Sequence, residues 1–425
     1  MVGGATQAPL DACSVVGCDA GARPVPAPRT LEGEGFLRRV RDSLPEGLIA
    51  TYSGFVLECG MTKEAALPRI ERLRRGVAKK GLEGVVLVPG PNIEYYTGVR
   101  SQLLERPFLL FVPKEGDPQL VAPTLESGPY TRSPVKIGVH SWDDASGPSG
   151  AFAALRRQVD LTGEWGFEGR VPFGYLTHVM GSGIELRSAD PILQSIREIK
   201  EASEIALLKE AAKALGKGFL KVPEFMREGM TELELSGALK EEIFTSGGES
   251  VDFCMVQAGD HAADPHWAGS KRKITKGLGV VIDAGCTVSG YNADITRTFL
   301  LGKNEELEEA YGDVLHAQKK GIKAVAPGRM VGEVDAATRN PLEAKGLGKY
   351  FFHRTGHGLG LEIHEEPYIV SRGRKSLRPG MVFTVEPGVY LAGRYGVRIE
   401  DNVTVTPEGC DVMTRSVPKE FGWWK

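Results

Sequence analysis

The sequence predicts two folded domains, a smaller α/β domain followed by a larger α+β domain on a curved antiparallel sheet. Three observations carry this expectation. Helical and strand-like patterns alternate from Thr62 to about residue 190. After that point helical segments come first and β-branched strands follow. A chain of 425 residues is also long enough for two cores.

Residues 1–35 are rich in Ala, Gly and Pro and read as a disordered tail. The first domain is expected over 36–190, with FLRRVRDSL forming one helix in an otherwise unassigned extension. TKEAALPRIERLRRGVAKKGL places Leu67, Ile70, Leu73 and Val77 at helical spacing ahead of the buried-strand run GVVLVP. PNIEYYTGV comes next, with Tyr95 and Tyr96 read as packing residues at a strand end, then the strands FLLFVP and LVAP. The second domain is expected over 191–425. It opens on a helix whose apolar face is Ile205, Leu208, Ala212 and Leu215. Thr231 and Glu234 form a capping box for a second helix, a third runs from Glu305 to Ala324, and a fourth starts near Gly332.

The last third of the chain carries acids in unusual places. Strands at 278–283 and 295–300 flank a Gly/Ser/Asn-containing turn at 285–292 and bring Asp283 and Asp294. These acids are 11 residues apart (294 − 283), an odd separation whose register the turn or a bulge must set. Glu386 in VFTVEPGVY and Glu400 in GVRIEDNVTV lie in apolar or β-branched runs, where an unpaired carboxylate costs several kcal/mol. With His357 in HRTGHGLGLEIHEEP, these five groups suit two divalent cations sharing a water that is hydroxide near neutral pH. Oxygen ligands with one imidazole favour Mn(II), Fe(II) or Co(II) over zinc.

Composition narrows the partners. The net charge of −3 comes from 52 basic and 55 acidic residues without a basic block, so nucleic acid is not an expected partner. No apolar run approaches the length of a membrane span, and no secretory signal is evident. The six scattered cysteines, Cys13, Cys18, Cys59, Cys254, Cys286 and Cys410, read as reduced thiols in a cytoplasmic protein, with Cys286 a small turn residue. Trp423 and Trp424 read as exposed aromatics that cover a surface.

The ordered segments IDAG, NADITRTF, TGHGLGLEIHEEP, TVEPGVY and RIEDN, within roughly residues 195–415, resemble the pita-bread-fold metallopeptidases. That family includes methionine aminopeptidase, prolidase, aminopeptidase P and the metal-free relative creatinase. The resemblance implies a pita-bread catalytic domain behind a creatinase/prolidase-type N-terminal domain, of which NIEYYTG is the most recognisable part. It implies two divalent ions per subunit, Mn(II) first, with Co(II), Fe(II) or Zn(II) as alternatives. Asp283 would chelate one ion, His357 and Glu386 the other, and Asp294 with Glu400 would bridge. Glu386 would shuttle the proton of the bridging hydroxide to the leaving nitrogen. His266 would hydrogen-bond the substrate, His364 would polarise the scissile carbonyl, His353 would line the pocket, and Arg398 would hold a ligand acid from behind.

All five ligands are present, unlike creatinase-type relatives, and the N-terminal domain sets the chain apart from methionine aminopeptidase. The expected activity is therefore that of an Xaa-Pro dipeptidase, acting as a homodimer on peptides with proline after the scissile bond. Aminopeptidase P activity on longer peptides, or hydrolysis or lysis of a small non-peptide metabolite, are the alternatives. One departure bears on the choice. Dipeptide-cleaving relatives often follow HExP with an arginine that binds a free carboxylate, whereas HEEP is followed here by Tyr368. Arg372 and Arg374 are the nearby substitutes in sequence.

Overall fold

A stripe of Ala66, Ile70, Leu73 and Val77 buries one side of the first described helix, Lys63–Lys79. Leu67 lies beside that stripe and is 43% exposed, so it does not belong to the apolar face expected of it. The computed structural model describes residues 61–181 and 183–424, with the backbone of Val56–Glu58. The expected tail at 1–35, the FLRRVRDSL helix and Cys13, Cys18 and Cys59 lie outside the described residues.

Eight described strands precede the long central helix: β1 (Val56–Glu58), β2 (Gly84–Leu87), β3 (Val99–Ser101), β4 (Leu109–Pro113), β5 (Gln119–Pro123), β6 (Gly138–Trp142), β7 (Gly163–Phe167) and β8 (Ile184–Ser188). Six of them form a mixed sheet in the order β6-β5-β4-β2-β7-β8. β2 is buried along its length because both faces are covered. Helices Lys63–Lys79 and Asp190–Arg197 pack on one side, and Trp142, Phe152 and Trp165 fill the other. Tyr95 and Tyr96 are buried packing residues as expected, but they sit in a short helix, Pro91–Thr97. Pro91 suits the first helical position, and Gly98 at φ 70 ends the helix in the left-handed conformation.

The second half is built on β9 (Ser250–Ala258), β10 (Gly279–Val288) and β11 (Tyr291–Leu300), paired antiparallel in the order β11-β10-β9. Helix Ala202–Phe225 lays Leu208, Ala212 and Leu215 inward as its pattern requires. Helix Glu232–Thr245 begins at the Thr231–Glu234 capping box, and helix Glu305–Ala324 has the expected limits. The fourth helix starts at Val331. β10 and β11 are longer than their patterns suggest and leave only Ser289 and Gly290 in the turn. Both have positive φ, 48 and 81, which matches the right-handed twist of a tight hairpin. Cys286 is therefore a strand residue, with its Sγ 3.5 Å from the Ala211 carbonyl.

The remaining strands are β12 (Gly356–Gly358), β13 (Glu365–Ile369), β14 (Val382–Val385), β15 (Gly388–Leu391), β16 (Tyr395–Arg398), β17 (Asp401–Thr406) and β18 (Gly409–Val412). One sheet has the order β13-β12-β14-β17-β18, while β15 and β16 pair separately. The two glutamates thus lie in breaks between strands rather than within continuous ones: Glu386 joins β14 to β15, and Glu400 joins β16 to β17. Val385 pairs with Asp401 and Gly388 with Arg398, so both chains change sheets at the same level.

Trp423 and Trp424 are not an exposed surface. Trp424 is 9% exposed, donates from Nε1 to the Leu300 carbonyl at 3.1 Å, and packs with Phe299, Tyr311 and Phe421. No helix among the described residues is long and apolar enough to cross a membrane.

β12 is squeezed between β13 and β14, and its two glycines permit this. A Cβ at Gly356 would overlap the Thr384 carbonyl, and one at Gly358 the Glu366 carbonyl. Gly356→Ala is expected to cost about 3 kcal/mol, read as a lower urea midpoint. An unchanged midpoint would show that β12 can move aside.

Candidate metal centre

The β10–β11 register answers how two aspartates 11 apart face one way. Asp283 pairs with Thr296, and Asp294 pairs with Gly285. Residues opposite each other, and residues two apart, share a face, so the two-residue turn alone puts both carboxylates on one side. No bulge is needed between these strands.

The structure brings the five sequence-selected groups together. Asp294, His357 and Glu400 each offer a donor atom, all within 4.8 Å of one another. His357 Nε2 lies 3.7 Å from Asp294 Oδ2 and 3.3 Å from Glu386 Oε1. His357 Nδ1 faces the Gly358 carbonyl at 3.1 Å; with its hydrogen there, the Nε2 lone pair points at the acids. Burial, then the neighbouring His364, pushes the His357 pKa down to about 3, which keeps the ring neutral as ligation requires.

Hydrogen bonding fixes each acid but leaves it incomplete. Thr296 Oγ1 donates to Glu400 Oε2 at 2.6 Å, Thr384 Oγ1 donates to Glu386 Oε1 at 2.9 Å, and Arg398 Nη2 donates to Asp283 Oδ2 at 2.7 Å. Asn402 grips the backbone of Asp294, accepting from its N–H at 3.0 Å and donating to its carbonyl at 2.6 Å. Asp283 Oδ1, Asp294 Oδ1 and Glu400 Oε1 remain buried without a protein partner. Burial, then Glu400, Asp283 and Glu386, pushes the Asp294 carboxyl well above its ordinary range. Burial, then Glu386 and Asp283, does the same to Glu400. Burial pushes Glu386 up to about 7 against the pull of Arg398 and Thr384.

Magnitudes decide what such a cluster needs. Two like charges 4 Å apart repel by roughly 4 kcal/mol at an effective dielectric of 20. Among the described residues, Arg398 is the one cation bonded to any of these four acids. One guanidinium cannot neutralise four carboxylates. The inward oxygens and the neutral imidazole form an oxygen-rich donor set that fits divalent cations.

Around this centre, Arg398 also donates to Thr296 Oγ1 and to Tyr390 Oη, at 3.1 and 2.9 Å. Tyr390 Oη lies 2.9 Å from His353 Nε2, and His353 Nδ1 lies 2.7 Å from the Arg354 carbonyl. A chain of hydrogen bonds therefore runs from Asp283 through Arg398 and Tyr390 to His353. Burial, then Arg398, lowers the His353 pKa to about 3. His364 is exposed, its ring centroid 4.0 Å from that of His357. His266 is exposed too, near enough that its charge helps lower the pKa of His364 after burial and Arg354. Its neighbour His261 is structural, held to buried Glu232 at 2.9 Å and stacked on Trp267. Arg372 and Arg374 are not brought in; both are exposed on the segment whose backbone abuts Gly332.

Thr296, Thr384, Tyr390 and Asn402 escaped the sequence reading. Three carried a signal: Thr296, Thr384 and Asn402 each stand two positions from a selected acid. Tyr390 carried none.

With no cations bound, Asp294, Glu386 and Glu400 hold protons in the fold that the unfolded chain would release. Their contribution to stability is then fully present below 4.5, the ordinary glutamate value, and is lost as pH rises through about 7. Metal-stripped protein is expected to show a melting temperature that drops across this interval, and Mn(II) at pH 7.5 is expected to restore it. A pH-independent melt in the stripped protein would contradict the crowding described above.

The model of metallopeptidase family M24 matches residues 206–407, and that of the creatinase/prolidase N-terminal domain matches residues 69–199. The probable dipeptidase PepE of Mycobacterium tuberculosis is 36% identical over 359 residues, spanning 83% of this chain and 95% of that protein. The crystal structure of dipeptidase PepE from Mycobacterium ulcerans superposes with a TM-score of 0.79 at 34% identity, covering 85% of this chain and 98% of that one. Recombinant prolidase from Thermococcus sibiricus gives 0.78 at 36% identity, covering 82% and 96%. The fold is the pita-bread arrangement that the sequence resemblance implied. The chain belongs to metallopeptidase family M24, its peptidase domain preceded by a creatinase/prolidase N-terminal domain.

Proposed function

We propose that the protein is an Xaa-Pro dipeptidase that hydrolyses the peptide bond before proline with two divalent ions, Mn(II) first among them, and works as a homodimer. The observation that carries the reading is the convergence of three partnerless buried carboxylate oxygens and a neutral imidazole. It lies in a chain similar to proteins named dipeptidase and prolidase. Asp283 would hold one ion, His357 and Glu386 the other, and Asp294 and Glu400 both. Bound there, the ions supply Lewis acidity that makes water a nucleophile at neutral pH.

The chain's own groups do the rest. Glu386 keeps one oxygen on Thr384 and stands beside His357, placed to take a proton and return it to the leaving nitrogen. His364, exposed next to His357, donates to the scissile carbonyl and stabilises charge as it develops there. His266, exposed on the loop after β9, would hydrogen-bond the substrate. Arg398 and Tyr390 fix Asp283, so that the centre stays rigid through turnover.

The test is hydrolysis of Ala-Pro, Ala-Pro-Ala and a panel of non-peptide amides by Mn(II)- or Co(II)-loaded protein. Ala-Pro is expected to be the best substrate. Preference for Ala-Pro-Ala would make the enzyme an aminopeptidase, and cleavage of another amide with neither proline peptide would end the peptidase reading. Asp294→Asn is expected to lower metal affinity and activity together, each by more than about a hundredfold.

A further inference from the structure

We propose that Arg354 is the cation that receives the free α-carboxylate of the substrate, which makes it a specificity-determining residue for dipeptides. This rests on the dipeptidase reading above. A dipeptide ending in proline carries its carboxylate one carbon from the scissile nitrogen. A cation that reads it must therefore stand beside the reaction centre and be uncommitted before substrate arrives.

The cations near the centre are already engaged, with one exception. Arg398 holds Asp283, Thr296 and Tyr390. Arg339 is bound to both oxygens of Asp335 and to the Phe351 and His353 carbonyls. Arg197 bonds Asn92, Glu362 and Glu365, and Lys375 bonds Glu198 and Glu366. Among the described residues, no carboxylate lies within ion-pair distance of Arg354. Arg354 is half-buried, and a guanidinium held there without a carboxylate keeps its planar fork of donors available to an anion from outside.

Its placement fits that anion. The guanidinium carbon lies 4.5 Å from the centroid of the Tyr368 ring. Stacking on an aromatic face holds the guanidinium plane and leaves its N–H edge free for a two-pronged bond to a carboxylate. The backbone beneath is fixed: the Arg354 carbonyl faces His353 Nδ1, and Thr355 is tied to Ile369 and Asp335 at 3.0 and 2.8 Å. Tyr368, the ring on which Arg354 stacks, lines a cavity of about 300 Å³ together with His364. The Arg354 charge lowers the pKa of His353, His357, His364 and Glu386 alike, as a cation close to all four does.

The test uses the metal-loaded full chain with Ala-Pro and Ala-Pro amide, which differ only in the terminal charge. Arg354→Gln is expected to raise KM for Ala-Pro by about thirtyfold while leaving KM for the amide within about twofold of its starting value. Arg354→Lys is expected to fall between, since it keeps charge but not the fork. Parallel losses on both substrates, or an unchanged KM for Ala-Pro, would overturn the proposal. Failure of the dipeptidase reading shows separately, as absence of Ala-Pro turnover by the unaltered chain. In that event calorimetric binding of L-proline and L-prolinamide still decides: Arg354→Gln must weaken the first and spare the second, and equal effects on both would overturn the assignment.

Discussion

Four carboxylates share a largely buried pocket with one guanidinium bonded among them, and the surrounding architecture answers that imbalance. Burial and mutual repulsion both favour the protonated acids, as the raised pKa values of Asp294, Glu386 and Glu400 show. Hydrogen bonds from Arg398, Thr384 and Thr296 each occupy one oxygen of Asp283, Glu386 and Glu400, while Asp283 Oδ1, Glu400 Oε1 and Asp294 Oδ1 stay buried without a protein partner. An arrangement of this kind is costly to an isolated chain and favourable once positive charge enters, which couples folding to cation binding.

Holding like charges together requires a stiff frame. The β10–β11 hairpin supplies both aspartates from one face, and Asn292 at its tip donates to the Gly360 carbonyl at 2.9 Å, tying it to the His364 loop. Behind Glu400, fully buried Arg297 bonds Asp401 at 2.8 Å and the Val417 and Pro418 carbonyls at 2.9 and 3.1 Å. The C-terminal segment thereby braces the sheet. The segment after the N-terminal sheet braces the other side, where Lys200 Nζ reaches Glu365 Oε1 at 2.7 Å next to His364 and Arg197 bonds the same carboxylate. Partner removal in such a buried network strands a charge, so these residues matter even without touching substrate.

The acids were legible because they break a pattern. A glutamate in VFTVEPGVY or an aspartate after VVI interrupts runs that otherwise bury, and physical cost flags the exception. Helix Glu305–Ala324 and the Thr231–Glu234 cap were legible because periodicity and capping chemistry are local. What depended on distant partners was not. The sheet change at Glu386 and Glu400 is invisible in strands that read as continuous, and the short helix at Pro91–Thr97 hid inside a β-prone composition. Trp423 and Trp424 looked exposed because their partners, Phe299 and Tyr311, stand more than a hundred residues earlier. Tyr390 reads as a packing residue until Arg398 and His353 are seen on either side of its hydroxyl.

Whether cations complete this pocket is read from its metal content. Elemental analysis of protein reconstituted with Mn(II) and freed of loosely held ion should find about two ions per chain, and Glu400→Gln should retain neither. Protein that stays folded through neutral pH while holding no divalent ion, or a Glu400→Gln variant that keeps both, would contradict the account.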